Sequence, residues 1–280
     1  MASPPHAVPG LPSRAAAVAR RIERALAAGM ASCASVVAAG GLLARQQPVA
    51  GGVAVFAGTG LPLNRAVGMG MDAPVLAADL DALERFYASL GAVSQIDLCP
   101  YADASLVALA RARGYLPATF LGVFSLALPA PADEAPPTPA EVEVEVVDGA
   151  GRETWAGVVA RGYLGHDDVH DDAIDLVLAR IASHRPEVRL WLGRVGGEVA
   201  GAGALAVHDG VAVLFSASTL PVHRGRGVQA ALLRARLADA AARGCDLAVV
   251  MVVPGSDSER NLERFGFRPA YTRAVLVRRA

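Results

Sequence analysis

One order of elements occurs twice along this chain. In the first half, a helical pattern at Leu76–Leu90 stops at Gly91, and the run "VSQIDLC" ends at Pro100. A helix over Asp103–Arg113 then stops at Gly114, and "GYLPATF" leads into a strand. In the second half, a helix from Val228 to Arg243 stops at Gly244, and "DLAVVMVV" ends at Pro254. A short helix, Asp257–Phe265, stops at Gly266, and "GFRPAYT" opens a last strand over Ala270–Arg278. Glycine just past a helix takes the left-handed conformation that closes it. Proline cannot continue a hydrogen-bonded ladder. Two copies of one ordered set predict an internal duplication.

The proline-rich stretch Pro129–Glu141, "PAPADEAPPTPAE", separates the copies as a stiff linker. The expected organisation is a loose tail at 1–13, one unit at 14–128, the linker at 129–141, and a second unit at 142–280. The second unit adds helical patterns at Arg152–Leu164 and Asp171–His184. It also adds strands at Val188–Val195, Val199–Val207 and Val211–Thr219, joined by tight turns at Gly196-Gly197-Glu198 and His208-Asp209-Gly210. Hairpins followed by strand–helix–strand units predict an α/β fold. Its sheet is mixed and mostly antiparallel, flanked by helices, in two tandem copies.

Composition removes several function classes. The chain has 280 residues and a net charge of −1, which does not suit a general nucleic-acid binder. All 26 basic residues are arginine, so a lysine Schiff base and a Walker A loop are both excluded. The three cysteines, Cys33, Cys99 and Cys245, have neither disulfide pairing nor metal spacing, which points to a reducing, cytoplasmic setting. Between Arg24 and Arg45 there is no charge. The stretch is Ala, Gly and Ser with few large apolar groups, so it reads as soluble structure rather than a membrane span. Gly29 is expected to stop a helix there, and Gly40-Gly41 to make a turn.

The densest chemical signal is "LPVHRGRGVQAALLRARL", Leu220 to Leu237. A strand runs into Arg224-Gly225-Arg226-Gly227, and a helix begins at once. A helix start carries amides with no internal partner and the positive end of the macrodipole. Glycines let an anion approach the main chain, and arginines add charge and forked donors. The arrangement suits a phosphate or diphosphate; a glycine-rich turn with solvated arginines is the plainer alternative. An ordinary nucleotide loop is disfavoured, because no Gly-x-Gly-x-x-Gly and no ribose-binding acid accompany it.

The stretch "VHRGRGVQAALL" resembles the acyl-CoA signature of the GNAT acyltransferases, Arg/Gln-x-x-Gly-x-Gly/Ala. Arg224, Gly227 and Gln229 stand at its three positions, and Gln229 departs from the usual small residue. The resemblance extends over Val142–Arg278. It implies that the strand end carrying Thr219, Leu220 and Val222 pairs its backbone with a pantetheine arm. It implies that amides of Gly225, Arg226, Gly227, Val228 and Gln229 hold the pyrophosphate, and that Ser258 and Asn261 make polar contacts near the thiol. The implied co-substrate is acetyl-CoA, with no metal. The implied reaction is direct attack of a neutral amine, on a small molecule or a protein, with no nucleic-acid or membrane partner. The alternative is an acyl-CoA-binding regulator without turnover.

The catalytic groups are less legible. Where many relatives have an acidic tyrosine, four residues before the Gly-Phe pair, this chain has Leu262. Tyr271 could substitute as acid or could pack on the last strand. No acid lies in the strand Val211–Leu220. His223 could contact CoA or could be a surface histidine. "GHDDVHDD", Gly165–Asp172, has three readings: a metal site, a solvated loop whose aspartates cap the next helix, or, with His166, Asp167 and Asp168, an attractor of a cationic acceptor. In the N-terminal copy, Asp72 and Pro74 stand before the corresponding helix. That copy is expected to be degenerate and to bind no CoA.

Overall fold

The computed structural model describes residues 13–130 and 141–278. The expected tail and linker therefore lie almost wholly outside the described residues. The first copy contains α1 (Arg14–Ala39), β1 (Arg45–Val49), β2 (Gly52–Phe56), β3 (Ala66–Val67), α2 (Ala77–Ser89), β4 (Gln95–Leu98), α3 (Ala104–Ala112) and β5 (Tyr115–Ala127). The second contains β6 (Val142–Val147), α4 (Arg152–Leu164), α5 (Ile174–Ser183), β7 (Val188–Val195), β8 (Glu198–His208), β9 (Val211–Thr219), α6 (Val228–Ala242), β10 (Leu247–Val252), α7 (Asp257–Arg264) and β11 (Arg268–Arg278).

The α/β fold with a mixed, mostly antiparallel sheet is as expected, but the two copies share one sheet. Its eleven strands run β1-β2-β3-β4-β11-β5-β10-β9-β8-β7-β6. The last strand of each copy crosses to the other. β5 pairs with β10 of the second copy, β11 pairs with β4 of the first, and β5 and β11 pair antiparallel at the centre. Among the described strands the parallel pairings are β3 with β4 and β9 with β10. In each, a helix makes the crossover that parallel neighbours require.

Helices cover both faces of the second copy. In β7, Leu190 and Leu192 pack with α4 and α5, while Trp191 packs with α6. That alternation is the period of a strand. In β10, Ala248 faces α6 and Val249 faces α1, and both are fully buried. Burial on both faces explains why "DLAVVMVV" reads as a continuous apolar run.

Helix α1 corrects one expectation. It does not stop at Gly29 but runs on to Ala39, where the turn at Gly40 ends it. Ser13 caps its start, accepting from the Ala16 amide at 3.2 Å. Gly29 costs the helix about 1 kcal/mol relative to alanine. It is small because a Cβ there would lie 2.9 Å from Arg185 Nη2. Among the described residues α1 is the one helix long and apolar enough to cross a membrane by length and composition. Its apolar side lies on the sheet, where Ile22 and Leu26 pack with Val67, Val123, Val211 and Val249 of both copies. Each such side chain contributes roughly 1.5–3 kcal/mol.

The seam between copies also holds a buried ion network. Arg273 of β11 is 1% exposed, Glu23 of α1 is 0% and Asp97 of β4 is 4%. Arg273 Nη2 donates to both Glu23 oxygens, at 2.8 and 2.7 Å, and Nη1 donates to Asp97 Oδ2 at 2.7 Å. Tyr271 Oη donates to Glu23 Oε1 at 2.6 Å, and Arg65 Nη1 lies 3.4 Å from Asp97 Oδ1. Burial pulls the Arg273 guanidinium down, but Glu23 and Asp97 outweigh it and hold the group above its ordinary value. Two arginines and two carboxylates leave the network neutral.

Candidate active site

β9 and β10 pair only over Val211–Val213 and Leu247–Val249. Beyond that rung they separate, which leaves one edge of β9 without a strand partner. A bulge sharpens the divergence. Ala202 of β8 opposes Ser218, but Ala204 opposes Phe215, and Ser216 sits at φ 49°, rare for a residue with a Cβ. Bulges increase local twist and re-aim neighbouring side chains.

The chain leaves β9 through Leu220 and a short 3-10 turn at Pro221–His223. Gly225 and Gly227 follow at φ 76° and 77°. A Cβ on Gly225 would meet nothing within 4 Å, so that glycine supplies conformation rather than space. Gly227 is the N-cap of α6 and offers no side-chain cap. The first helical bond runs from Ala231 N to Gly227 O at 3.0 Å. Among the described residues, no group accepts from the amides of Gly225 to Ala230. Amides left without acceptors at a helix start are free to donate to an anion.

The other expected site residues divide. Arg224 is partly spent: its Nη2 donates to Gly162 O of α4 at 3.2 Å. Arg226 lies 3.3 Å from Glu141. Gln229 Oε1 accepts from Asn261 Nδ2 at 2.7 Å, so the departure from the small signature residue is absorbed by a tie between α6 and α7. Ser258, half-buried on α7, is next to that tie in the chain. Thr219 is half-buried, Leu220 and Val228 are buried, and Val222 is 80% exposed.

Three expectations need correction. His223 is not a surface histidine. It is 6% exposed, with Nε2 3.9 Å from Glu198 and Nδ1 without a partner. Of the two readings of Tyr271, packing on the last strand holds and the acid does not. It is buried on β11, two places from β10 in the sheet, against Glu23 and Tyr101. Burial first, and the neighbouring Glu23 second, push its phenol above the ordinary range, so it is a poor acid there. Finally, His166, Asp167 and Asp168 are exposed, and Asp167 lies 3.7 Å from Arg161. Asp171 pairs with Arg180 at 3.0 Å rather than capping α5, whose N-cap is Ala173. Among the described residues, no three metal-ligating side chains converge. Leu262, where the resemblance would have a tyrosine, is 4% exposed and packs in the core with Phe265 and Phe267.

Sequence reasoning missed a cavity of 370 Å³ between α1, α4 and α5 and the sheet. Val213, Phe215 and Ser216 of β9 and Met251 of β10 line it, so it opens where those strands part. It also holds Arg185, whose Nη2 is 2.7 Å from Glu187 and which stands over the Phe215 ring at 5.2 Å. Burial pushes Glu187 up, but Arg185 outweighs it and holds the carboxyl below its ordinary value. His208 is kept below its ordinary value by burial, against the pull of Glu187. No sequence pattern marks these residues, because segments far apart in the chain supply them.

α4 reaches β9 only because Gly162 has no side chain. A Cβ there would sit 2.5 Å from Ser218 Cβ and 3.3 Å from the Thr219 amide. Gly162→Ala is expected to cost about 1–3 kcal/mol in urea unfolding. It should also weaken acetyl-CoA binding in calorimetry, since Arg224 is anchored on the same residue.

The corresponding place in the first copy is closed. The Leu76 amide donates to Asp79 Oδ2 at 2.8 Å, and the Val75 amide to Ser105 Oγ at 2.7 Å. Asp72 is held by Arg20 at 2.8 Å and Arg24 at 3.1 Å.

Residues 160–267 match the model of the Acetyltransferase (GNAT) family. No curated protein matches the sequence. The chain is similar in structure to a GCN5-related N-acetyltransferase from Kribbella flavida, with TM-score 0.70 and 20% identity over 94% of this chain and 96% of that one. It is also similar to a tandem GNAT protein from the clavulanic acid biosynthesis pathway, with TM-score 0.58 and 16% identity over 86% of each chain. At these identities the likeness is one of fold. Residues 160–267 thus match the GNAT family model, within an α/β architecture shared with GNAT structures over 94% and 86% of this chain.

Proposed function

We propose that this chain is an N-acetyltransferase that moves the acetyl group of acetyl-CoA to an amine. The observation that carries the reading is a continuous path: the uncapped start of α6, the unpartnered edge of β9, and the cavity where β9 and β10 part. The amides of Gly225 to Gln229 hold the diphosphate. The free edge of β9 toward Thr219, Leu220 and Val222 takes the pantetheine amides. The thioester then lies beside Phe215 and Ser216, facing the cavity.

The chemistry asks little of the protein. The amine nitrogen attacks the thioester carbon, the C–N bond forms, and the C–S bond breaks. A thiol ionises near pH 8.5, so the sulfur can leave as thiolate without a strong acid. That suits a site whose tyrosine position is occupied by buried Leu262. Orientation of the two reactants provides most of the acceleration. Closure of the amides before α2 supports a first copy that binds no CoA and serves as wall and support. Three buried free cysteines support work in the cytoplasm.

A second reading, an acyl-CoA sensor without turnover, is favoured by Leu262 alone. Thiol release from acetyl-CoA by the full chain, against a panel of amines, separates the two. Saturable release with acetylated product is expected. Tight binding in calorimetry with no release from any amine would leave the sensor.

A further inference from the structure

Resting on that reading, we infer that the acceptor is a small amine with an apolar body, captured as its cation by Asp175 and seated under α1. The cavity's charges lead to this class. Arg65, Asp97 and Arg273 line it but belong to the neutral network with Glu23. Arg185 lines it and is matched by Glu187. That leaves Asp175, a half-buried lining residue in the first turn of α5 with no hydrogen bond or ion pair among the described residues. An unmatched carboxylate in a largely apolar chamber favours a cation.

Asp175 is also at the reacting end. It lines the chamber together with Tyr163 of α4 and Ser216 of β9, and Tyr163 follows Gly162, which abuts Ser218 at the mouth of the notch. Arg185 lies against Gly29 of α1 and over the Phe215 ring. The amine therefore sits by the thioester and the body extends beneath Leu26 and Met30 of α1. A second feature of the chamber calls for a ligand. Arg273 is 1% exposed and lines the cavity, and its Nε has no partner. Such a donor is normally satisfied, so a hydroxyl or carbonyl on the body fits there. The volume of 370 Å³ lies in the small-molecule range. A lysine of a folded protein would fill only the mouth.

The balance is simple. The ammonium gives up one proton to solvent, the amine attacks, and the second proton lost from nitrogen ends on the CoA thiol.

The test uses the full chain with acetyl-CoA and three probes: tyramine, glutamate and a lysine-containing peptide. Tyramine is expected to have the highest kcat/KM. Asp175→Asn should raise its KM about 10- to 100-fold, while the KM of acetyl-CoA changes less than 2-fold. Asp175→Glu should recover part of the loss. Met30→Trp should lower kcat/KM for tyramine more than for methylamine. A structural role for Asp175 would instead lower Tm and affect both substrates alike. An unchanged tyramine KM in Asp175→Asn, or preference for the peptide or for glutamate, overturns this inference and leaves acetyl transfer standing. Absence of thiol release with every amine overturns both.

Discussion

Gly227→Glu is expected to raise the Kd for acetyl-CoA at least about 100-fold, roughly 2.7 kcal/mol, in calorimetry. Two effects add. Gly227 sits at φ 77° and ψ 8°, where a Cβ costs about 1–2 kcal/mol. The new carboxylate would also lie beside the amides of Val228 and Gln229, where it caps α6 itself and repels the diphosphate. Gly227→Ala separates the two: it carries the backbone cost without the charge, so its effect falls mainly on stability. Undiminished uptake by the glutamate variant would show that the diphosphate is held elsewhere, and the whole path from α6 to the cavity would lose its starting point.

Arg273→Met is expected to destabilise the chain by about 3–5 kcal/mol in urea unfolding. The substitution leaves Glu23 buried without its cation and Asp97 with Arg65 alone. Adding Glu23→Gln should recover much of the loss, because the Arg65–Asp97 pair that remains is neutral. The effect is global since β11 belongs to the second copy by sequence and to β4 by pairing. A loss under about 1 kcal/mol in the single variant would mean that solvent reaches the network and that it does not tie the copies together. For the same reason binding experiments need the full chain: a separated second copy would lose β5 from the edge of β10.

Much of the second copy was readable, although β6 was not among the expected strands and α5 starts three residues later than expected. β7 and β9 begin and end where the alternation and the Gly turns place them, and α6 starts at Val228 as the glycine loop requires. The first copy was less so. β1, "RQQPV", is polar with a proline inside, and β3 has two residues, so neither carries a period long enough to detect. α1 continues through Gly29 because tertiary packing against Arg185 outweighs a weak local preference.

The functional residues divide the same way. Gly225, Gly227 and the helix they open are contiguous, and their chemistry lies in the main chain, so local sequence was sufficient to find them. Asp175, Ser216 and Arg273 are ordinary residues until the sheet assembles. Sequence by itself determined the repeated order of α/β elements, the glycine-arginine turn before α6 and the leucine at position 262, because each depends on neighbours within a few positions. Tertiary structure alone decided the crossing of the last strands, the buried ion network and the cavity. These arise where segments up to 250 residues apart meet, and pairings at such distances are selected by burial and charge compensation, which leave no periodic trace in the chain.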